Sequence, residues 1–373
     1  MPEVEIMGMI GVNRERASSR GVTVSLFGGG INPAEEIPAG IDPDYIAEFS
    51  QAHEASGFDK VLIGYSSATA EGFGVAGYAA SQTNTLGFLI AHRPGFVVPT
   101  LAARQAATLD QLTKGRISMH IISGGSDLEQ RRDGDWTDHD GRYRRSDEFM
   151  EVMRRVWKET SPFDYNGEFY KFEQNLSEVR TFQRSGVPLY FGGASEVAKE
   201  VGARRADVYA LWGAPLESIK EQITDIRERA AKYGRSIRFS VSVRPILGDT
   251  EGEAWERAQG ILSRVKSSVG NTIGPGKPAR LQSEGSRRLL DFAAQGDVHD
   301  QRLWMPIAAT TGAAGNTTAL VGTAEQVAES LLAYHKIGAD AFIIRGFDPM
   351  QDTIDWGKEL IPMVRDGASV MAR

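Results

Sequence analysis

Residues 188–213 read PLYFGGASEVAKEVGARRADVYALWG. A short apolar run, Pro188–Gly193, ends in two glycines. Ser195 then opens a stretch of helical period to Arg204, and a second apolar run, Asp207–Trp212, follows. Runs this continuous predict strands covered on both faces rather than one solvated face. Serine at the junction is a good helix N-cap. The segment is thus one strand–helix–strand unit.

The same unit recurs in both directions. Further strands are expected at Val4–Gly11, Lys60–Tyr65, Thr85–His92, Arg116–Ser123, Arg238–Leu247 and Ala341–Arg345, which makes eight. Helices are expected at Asp42–Ser56, Pro99–Leu112, Arg144–Glu159, Pro215–Tyr233, Thr250–Lys266, Thr323–Ile337 and Thr353–Val364. Asp42-Pro43 supplies an N-cap and a first-turn proline. Alternation of this kind implies parallel strands with right-handed crossovers. Eight units favour a closed (β/α)8 TIM barrel, with a doubly wound sheet as the alternative.

Three stretches exceed a minimal barrel, at about residues 13–40, 124–185 and 269–318. Loops of this length are usually lids or binding loops. The Gly- and Pro-dense piece Gly270–Pro278 is the best lid candidate; a plain surface insertion is the other reading. No internal repeat or linker separates two cores, so residues 1–373 are expected to form one domain.

Composition narrows the function. There are 42 basic and 49 acidic residues, a net charge of −7, and no block of five like charges, which argues against nucleic-acid partners and a polybasic membrane anchor. No run of 18 apolar residues or signal-like segment occurs, so a cytoplasmic location is expected. Without cysteine there is no thiolate chemistry, and with no H-E-x-x-H no metal site is expected. Glycine is in excess, 41 of 373, and much of it lies at the ends of apolar runs.

In a (β/α)8 barrel chemistry sits at the C-terminal strand ends. Ser123-Gly124-Gly125-Ser126 and Gly192-Gly193-Ala194-Ser195 place small residues where backbone N–H groups can approach a phosphate, and the second leads into a helix. Glycines at such turns also occur for steric reasons alone. His92 and His120 lie near strand ends. Each is either a satisfied structural histidine or a hydrogen-bonding group beneath a planar cofactor. His139–Arg145 is a polar knot before a helix. Arg244 and Arg345 suit a sulfonate or carboxylate head group, or a rim ion pair.

At these residues the chain resembles the bacterial luciferase-like flavin monooxygenases, on the alkanesulfonate monooxygenase side. The similarity is carried by Arg93–Arg116, His120–Asp127, His139–Tyr143, Pro188–Ser195, Val208–Gly213 and Ala319–Thr323, in the same order. The resemblance implies a (β/α)8 barrel with a mobile loop after the seventh strand. It implies FMN, used as FMNH2 from a separate NAD(P)H-dependent flavin reductase, with O2 and a small organic substrate. In the sulfonate branch, C–S cleavage releases sulfite and an aldehyde. By the same resemblance Tyr143, Ser195 and the Gly192-Gly193-Ala194 turn should hold the flavin phosphate. Ser123, Gly124 and His120 should lie along the flavin, and His92 near its ring. Trp212, Arg244 and Arg345 should serve the substrate, with a homodimer or homotetramer as the assembly. The chain departs from the sulfonate branch in one set. Ser242 and Arg244 replace an Arg-x-His pair, Phe347 and Pro349 replace a Tyr-x-His pair, Thr69 stands near the usual cysteine position, and 310–315 lacks the usual arginine. A deazaflavin- or flavin-dependent hydride-transfer enzyme is the alternative on the same barrel.

Overall fold

All eight expected strands form, most of them a residue or two shorter than their apolar runs. The computed structural model describes residues 4–14, 40–272, 283–313, 315 and 317–371. Its strands are β1 (Glu5–Ile10), β2 (Lys60–Ile63), β3 (Gly87–His92), β4 (Ile117–Ile121), β5 (Phe163–Asn166), β6 (Lys171–Asn175), β7 (Leu189–Gly192), β8 (Val208–Trp212), β9 (Arg238–Leu247), β10 (Val298–His299), β11 (Leu303–Trp304), β12 (Ala319–Gly322) and β13 (Ala341–Ile344). The main sheet runs β10-β11-β12-β9-β13-β1-β2-β3-β4-β7-β8. A β8–β9 pairing closes eight of these strands into a (β/α)8 barrel. The registered barrel pairs, such as Ala91 with His120 and Gly192 with Ala210, are parallel. β5 and β6 form a separate antiparallel hairpin.

The helices are α1 (Pro43–Ala55), α2 (Gly72–Ser81), α3 (Pro99–Leu112), α4 (Asp127–Arg132), α5 (His139–Lys158), α6 (Glu196–Arg205), α7 (Leu216–Lys232), α8 (Glu251–Thr272), α9 (Glu284–Gln295), α10 (Pro306–Thr311), α11 (Ala324–Lys336), α12 (Pro349–Lys358) and α13 (Leu360–Met371). None among the described residues is long and apolar enough to cross a membrane.

Three differences from the sequence expectation have physical reasons. α5 starts at His139, five residues early, because Asp138 caps it by accepting from Gly141 N at 2.6 Å. α2 was not anticipated in a glycine-rich stretch. Glu71 caps it through Phe73 N and Gly74 N, and a Cβ at Gly72 would sit 2.9 Å from Ile90 Cγ2, so close packing on β3 selects glycine there. The expected Thr353–Val364 helix is two helices. Pro362 cannot donate to Lys358 O and clashes with it, so α12 ends at Lys358 and Pro362 falls in the first turn of α13. The 269–318 stretch carries α9, α10, β10 and β11. The lid candidate lies largely outside the described residues, as does most of 13–40.

The chain divides into two compact units. Unit one is Met1–Leu62, Leu211–Thr224 and Phe239–Arg373; unit two is Ile63–Ala210 and Asp225–Arg238. In unit one, α8 packs Ala258, Ile261 and Val265 with Trp304, Val321 and Phe347. In unit two the apolar stripe of α5, including Phe149, Met150, Met153 and Val156, is fully buried. Phe149–Trp157 is therefore a core face and not an exposed one.

Candidate functional site

Unit two is organised by one face of α5. Tyr143, Ser146 and Phe149 are spaced three apart, so each is offset by about 60° from the next along one flank of the helix. Each meets a different strand end. Tyr143 packs edge-on to Phe191 at 6.0 Å, and a Cβ at Gly193 would lie 2.9 Å from its hydroxyl. Ser146 shares a 2.8 Å hydrogen bond with Ser123, just after β4, and donates to Arg142 O. Phe149 stacks on the His92 ring at 5.3 Å, at the end of β3. Three strand-end residues far apart in sequence, His92, Ser123 and Gly193, are thereby tied to one helix.

The turn after β7 requires its glycines. A Cβ at Gly192 would come 2.6 Å from Ala210 O, and one at Gly193 2.5 Å from Ala198 Cβ. Gly193 also has φ +155, and its carbonyl accepts from Tyr209 Oη at 2.7 Å. Ala194 leads to Ser195, whose Oγ caps α6 by accepting from Ala198 N at 3.3 Å. The Tyr143 hydroxyl lies beside Gly193 just before α6, and the first-turn N–H groups of a helix suit a phosphate.

His92 and His120 are both held neutral. Burial alone pushes each imidazole down to about 4. His92 Nε2 is buried without a hydrogen-bond partner, and the ring also meets Phe73 edge-on at 6.0 Å. His120 lies between Ala91 of β3 and Tyr190 of β7 in the strand register. A neutral imidazole with an unspent nitrogen suits hydrogen bonding to a flat ring.

The loop after β4 is braced by ion pairs. Arg142 reaches Asp127 at 3.0 Å and Gly124 O at 3.5 Å. Arg93 pairs with Asp133 at 3.3 Å and Glu129 at 3.6 Å, and lies 4.6 Å over the Tyr65 ring. Tyr65 in turn donates to Asp133 at 2.9 Å. Arg145 pairs with Asp135 and lies where a Cβ of Gly95 would be. Its guanidinium holds the Asp135 carboxyl down to about 2, against burial. The His139–Arg145 knot is thus the first turns of α5, built into this network.

Unit one holds the other candidates. Trp212 ends β8, half-buried, and a Cβ at Gly285 of α9 would lie 3.2 Å from its Cζ3. Gly213 N donates to Ser242 O, and Thr318 Oγ1 donates to Gly213 O. Arg244, on β9, is buried with its guanidinium 4.6 Å over the Phe347 ring. Burial pushes Arg244 down to about 10. Arg345, just after β13, is buried too. Burial, and then repulsion from Arg244, puts it well below its ordinary value. The turn that follows is braced by Asp352, whose Oδ2 accepts from Phe347 N at 2.8 Å and Asp348 N at 2.9 Å.

A family model described as luciferase-like monooxygenase matches residues 22–341. The chain belongs to that family. Similar solved structures include riboflavin lyase (RcaE) with modified FMN and riboflavin, at TM-score 0.76 and 19% identity over 98% of this chain and 92% of that one. Long-chain alkane monooxygenase (LadA) aligns at TM-score 0.72 and 18% identity, covering 98% and 92%. An F420-dependent secondary alcohol dehydrogenase aligns at 0.67 and 17%, covering 98% and 100%. At these identities the likeness is one of fold.

Within the luciferase-like family reading, sequence reasoning named His92, His120, Ser123, Gly124, Tyr143 and the Gly192–Ser195 turn, and α5 and the strand ends place most of them in one network. It missed Ser146, Phe149, Gln130 and Asp352. The first two were legible only from a helix beginning at His139, which puts 143, 146 and 149 on one face. Gln130 and Asp352 carry no motif; only burial singles them out.

Proposed function

We propose that the chain is a flavin-dependent monooxygenase that uses FMNH2 and O2 on a small anionic organic substrate, a sulfonate first, with a separate flavin reductase. What carries the flavin half is the α5 face, which gathers a helix N-terminus, a tyrosine hydroxyl, two strand-end serines and a neutral histidine. Buried polar atoms without partners, and a turn that a Cβ would fill, suit a flat phosphorylated cofactor. Tyr143, Ser195 and the Gly192–Ala194 backbone would hold the phosphate. Ser123 and Gly124 would line the ring system, with His92 and His120 as neutral hydrogen-bonding groups. The reduced flavin, when bound, supplies the two electrons that O2 requires.

In unit one, Arg244 and Arg345 support recognition of an anion. Both guanidiniums are taken out of water, which disfavours their charge, and repulsion from Arg244 lowers Arg345 further. A sulfonate or carboxylate would offset both the lost hydration and the repulsion, and the guanidinium fork suits either group. Trp212 and Phe347 offer apolar surface for the rest of a small molecule and help exclude water.

The test is sulfite release and O2 consumption with a panel of alkanesulfonates, FMN, NADH and a flavin reductase. Substrate-dependent sulfite is expected. Turnover of a carboxylate or sulfone alone would keep the oxygenase and change the substrate. Tight binding of a deazaflavin with no affinity for FMN would replace the reading with hydride transfer.

A further inference from the structure

We propose that Gly285 is a specificity-determining residue of the substrate side: by carrying no side chain it sets where the Trp212 indole stands at the end of β8, and so how long an organic chain the site admits. The inference rests on the reading above, in which Trp212 offers apolar surface to the substrate.

Trp212 is aimed by its strand. Side chains alternate along β8. Tyr209 lies on the α6 side, where a Cβ at Gly202 would come 2.2 Å from its Cε2. Leu211 shares that outer side and is buried. Trp212 therefore turns the other way, toward the barrel interior, and as the last residue of β8 it stands where barrel chemistry sits. It is half-buried, so the indole keeps accessible surface there.

One edge of the ring lies against α9. A Cβ at Gly285 would be 3.2 Å from Cζ3 and 3.3 Å from Cε3, so a single methyl group crowds that edge. The backbone on both sides is held. Ser283 Oγ accepts from Ser286 N at 3.3 Å, and the buried Ser286 Oγ donates to Ala313 O at 2.9 Å, which fixes α9. After β8, Gly213 N donates to Ser242 O at 2.8 Å, and Thr318 Oγ1 donates to Gly213 O at 2.9 Å. The indole, turning about its side-chain torsions, is the part that gives way.

Local preference does not explain this glycine. Gly285 has helical backbone in the first turn of α9, where alanine suits a helix better. The Trp212 ring is the contact that selects glycine. A methyl group there would press the indole away from α9 and into the space its accessible face lines. In an apolar site one methylene of room is worth about tenfold or more in discrimination between substrates.

The experiment compares the unmodified chain with Gly285→Ala. The first readout is kcat/KM for decanesulfonate relative to ethanesulfonate, or for the matching carboxylates where only those turn over, with FMN, NADH and a flavin reductase. The second is the fluorine NMR spectrum of cofactor-free protein labelled with 5-fluorotryptophan, whose fluorine sits on Cζ3. Trp212→Phe assigns the Trp212 signal. Gly285→Ala should lower the long-to-short ratio about tenfold and move the Trp212 fluorine signal, while changing the melting temperature little. An unchanged ratio would overturn the proposal. So would a lower ratio with an unmoved fluorine signal, because the effect would not run through the indole. If the unmodified chain oxidises no sulfonate, carboxylate or alkane, the oxygenase reading itself falls and takes the specificity role with it, whatever the fluorine signal does.

Discussion

Helix α5 in unit two and the turn after β13 in unit one treat their polar groups in opposite ways. Around α5 nearly every charge has a partner: Arg142 with Asp127, Arg145 with Asp135, Arg93 with Asp133 and Glu129. Among the atoms left over are those of two neutral groups, His92 Nε2 and the Gln130 amide. After β13, two guanidiniums are buried: repulsion from Arg244 adds to burial in lowering Arg345, while the Asp352 carboxylate favours the charge of Arg244. A neutral, preorganised site suits a cofactor with many hydrogen-bonding edges. A site with concentrated positive charge suits a single anionic group.

The largest expected effect tests the charged side. Arg345→Met removes one of two mutually repelling cations. The cofactor-free protein should become more stable to urea. Meanwhile kcat/KM for an anionic substrate should fall about 100-fold or more, because truncating one partner of a buried charge pair costs about 2–5 kcal/mol. Arg244→Met should act in the same direction. Loss of stability without loss of kcat/KM would make these arginines structural and erase the contrast. The neutral side is tested next by Gly193→Ala. A side chain at φ +155, 2.5 Å from Ala198 Cβ, should cost about 1–3 kcal/mol of stability and weaken FMN binding as the turn shifts. Unchanged affinity would show that the turn does not hold the phosphate.

How much of this was legible beforehand differs for the two sides. The barrel was, because eight apolar runs with capped helices between them are a local signal that survives without contacts. The glycine turns were, because a strand ending in Gly192-Gly193 before Ser195 announces a close approach of backbone. The α5 face was not, because Gly141 and the charged run His139–Arg145 look like a loop until Asp138 is seen capping Gly141 N. Nor was the burial of Arg244 and Arg345. Arginine at a strand end reads as a rim ion pair, and only tertiary packing decides otherwise.

A pH titration sharpens the comparison because burial holds His53 neutral in unit one and both His92 and His120 neutral in unit two. His92 in unit two and His53 in unit one are both pushed down to about 4 by burial. Each unfolds to an ordinary imidazole near 6.5, so below that pH the unfolded chain takes up protons first. Stability present above 6.5 is therefore lost as the pH falls toward 4, by up to about 1.4 kcal/mol per pH unit for each histidine. Denaturant melts at pH 7, 6 and 5 measure the slope, and His53→Phe or His92→Phe should each remove part of it. FMN affinity should show no step near 6.5 from His92, which stays neutral there. Such a step, abolished in His92→Phe, would mean the ring is far wetter than its packing between Phe73 and Phe149 implies.

The smallest effect separates two jobs that meet at one turn. Ser195 caps α6 and also stands at the proposed phosphate seat, whereas Tyr143 lies on α5 with its hydroxyl beside Gly193. Ser195→Ala should lower stability by about 1 kcal/mol through the lost cap, with FMN bound or not. Tyr143→Phe should weaken FMN binding about tenfold, the value of one hydrogen bond to a charged group at its low end, and shift the cofactor-free melting temperature little. Isothermal titration beside thermal melts resolves the two. If Tyr143→Phe destabilises the cofactor-free protein and leaves FMN affinity intact, its hydroxyl serves the fold. The phosphate would then rest on the α6 N-terminus alone, and the α5 face would lose the end that links it to the cofactor.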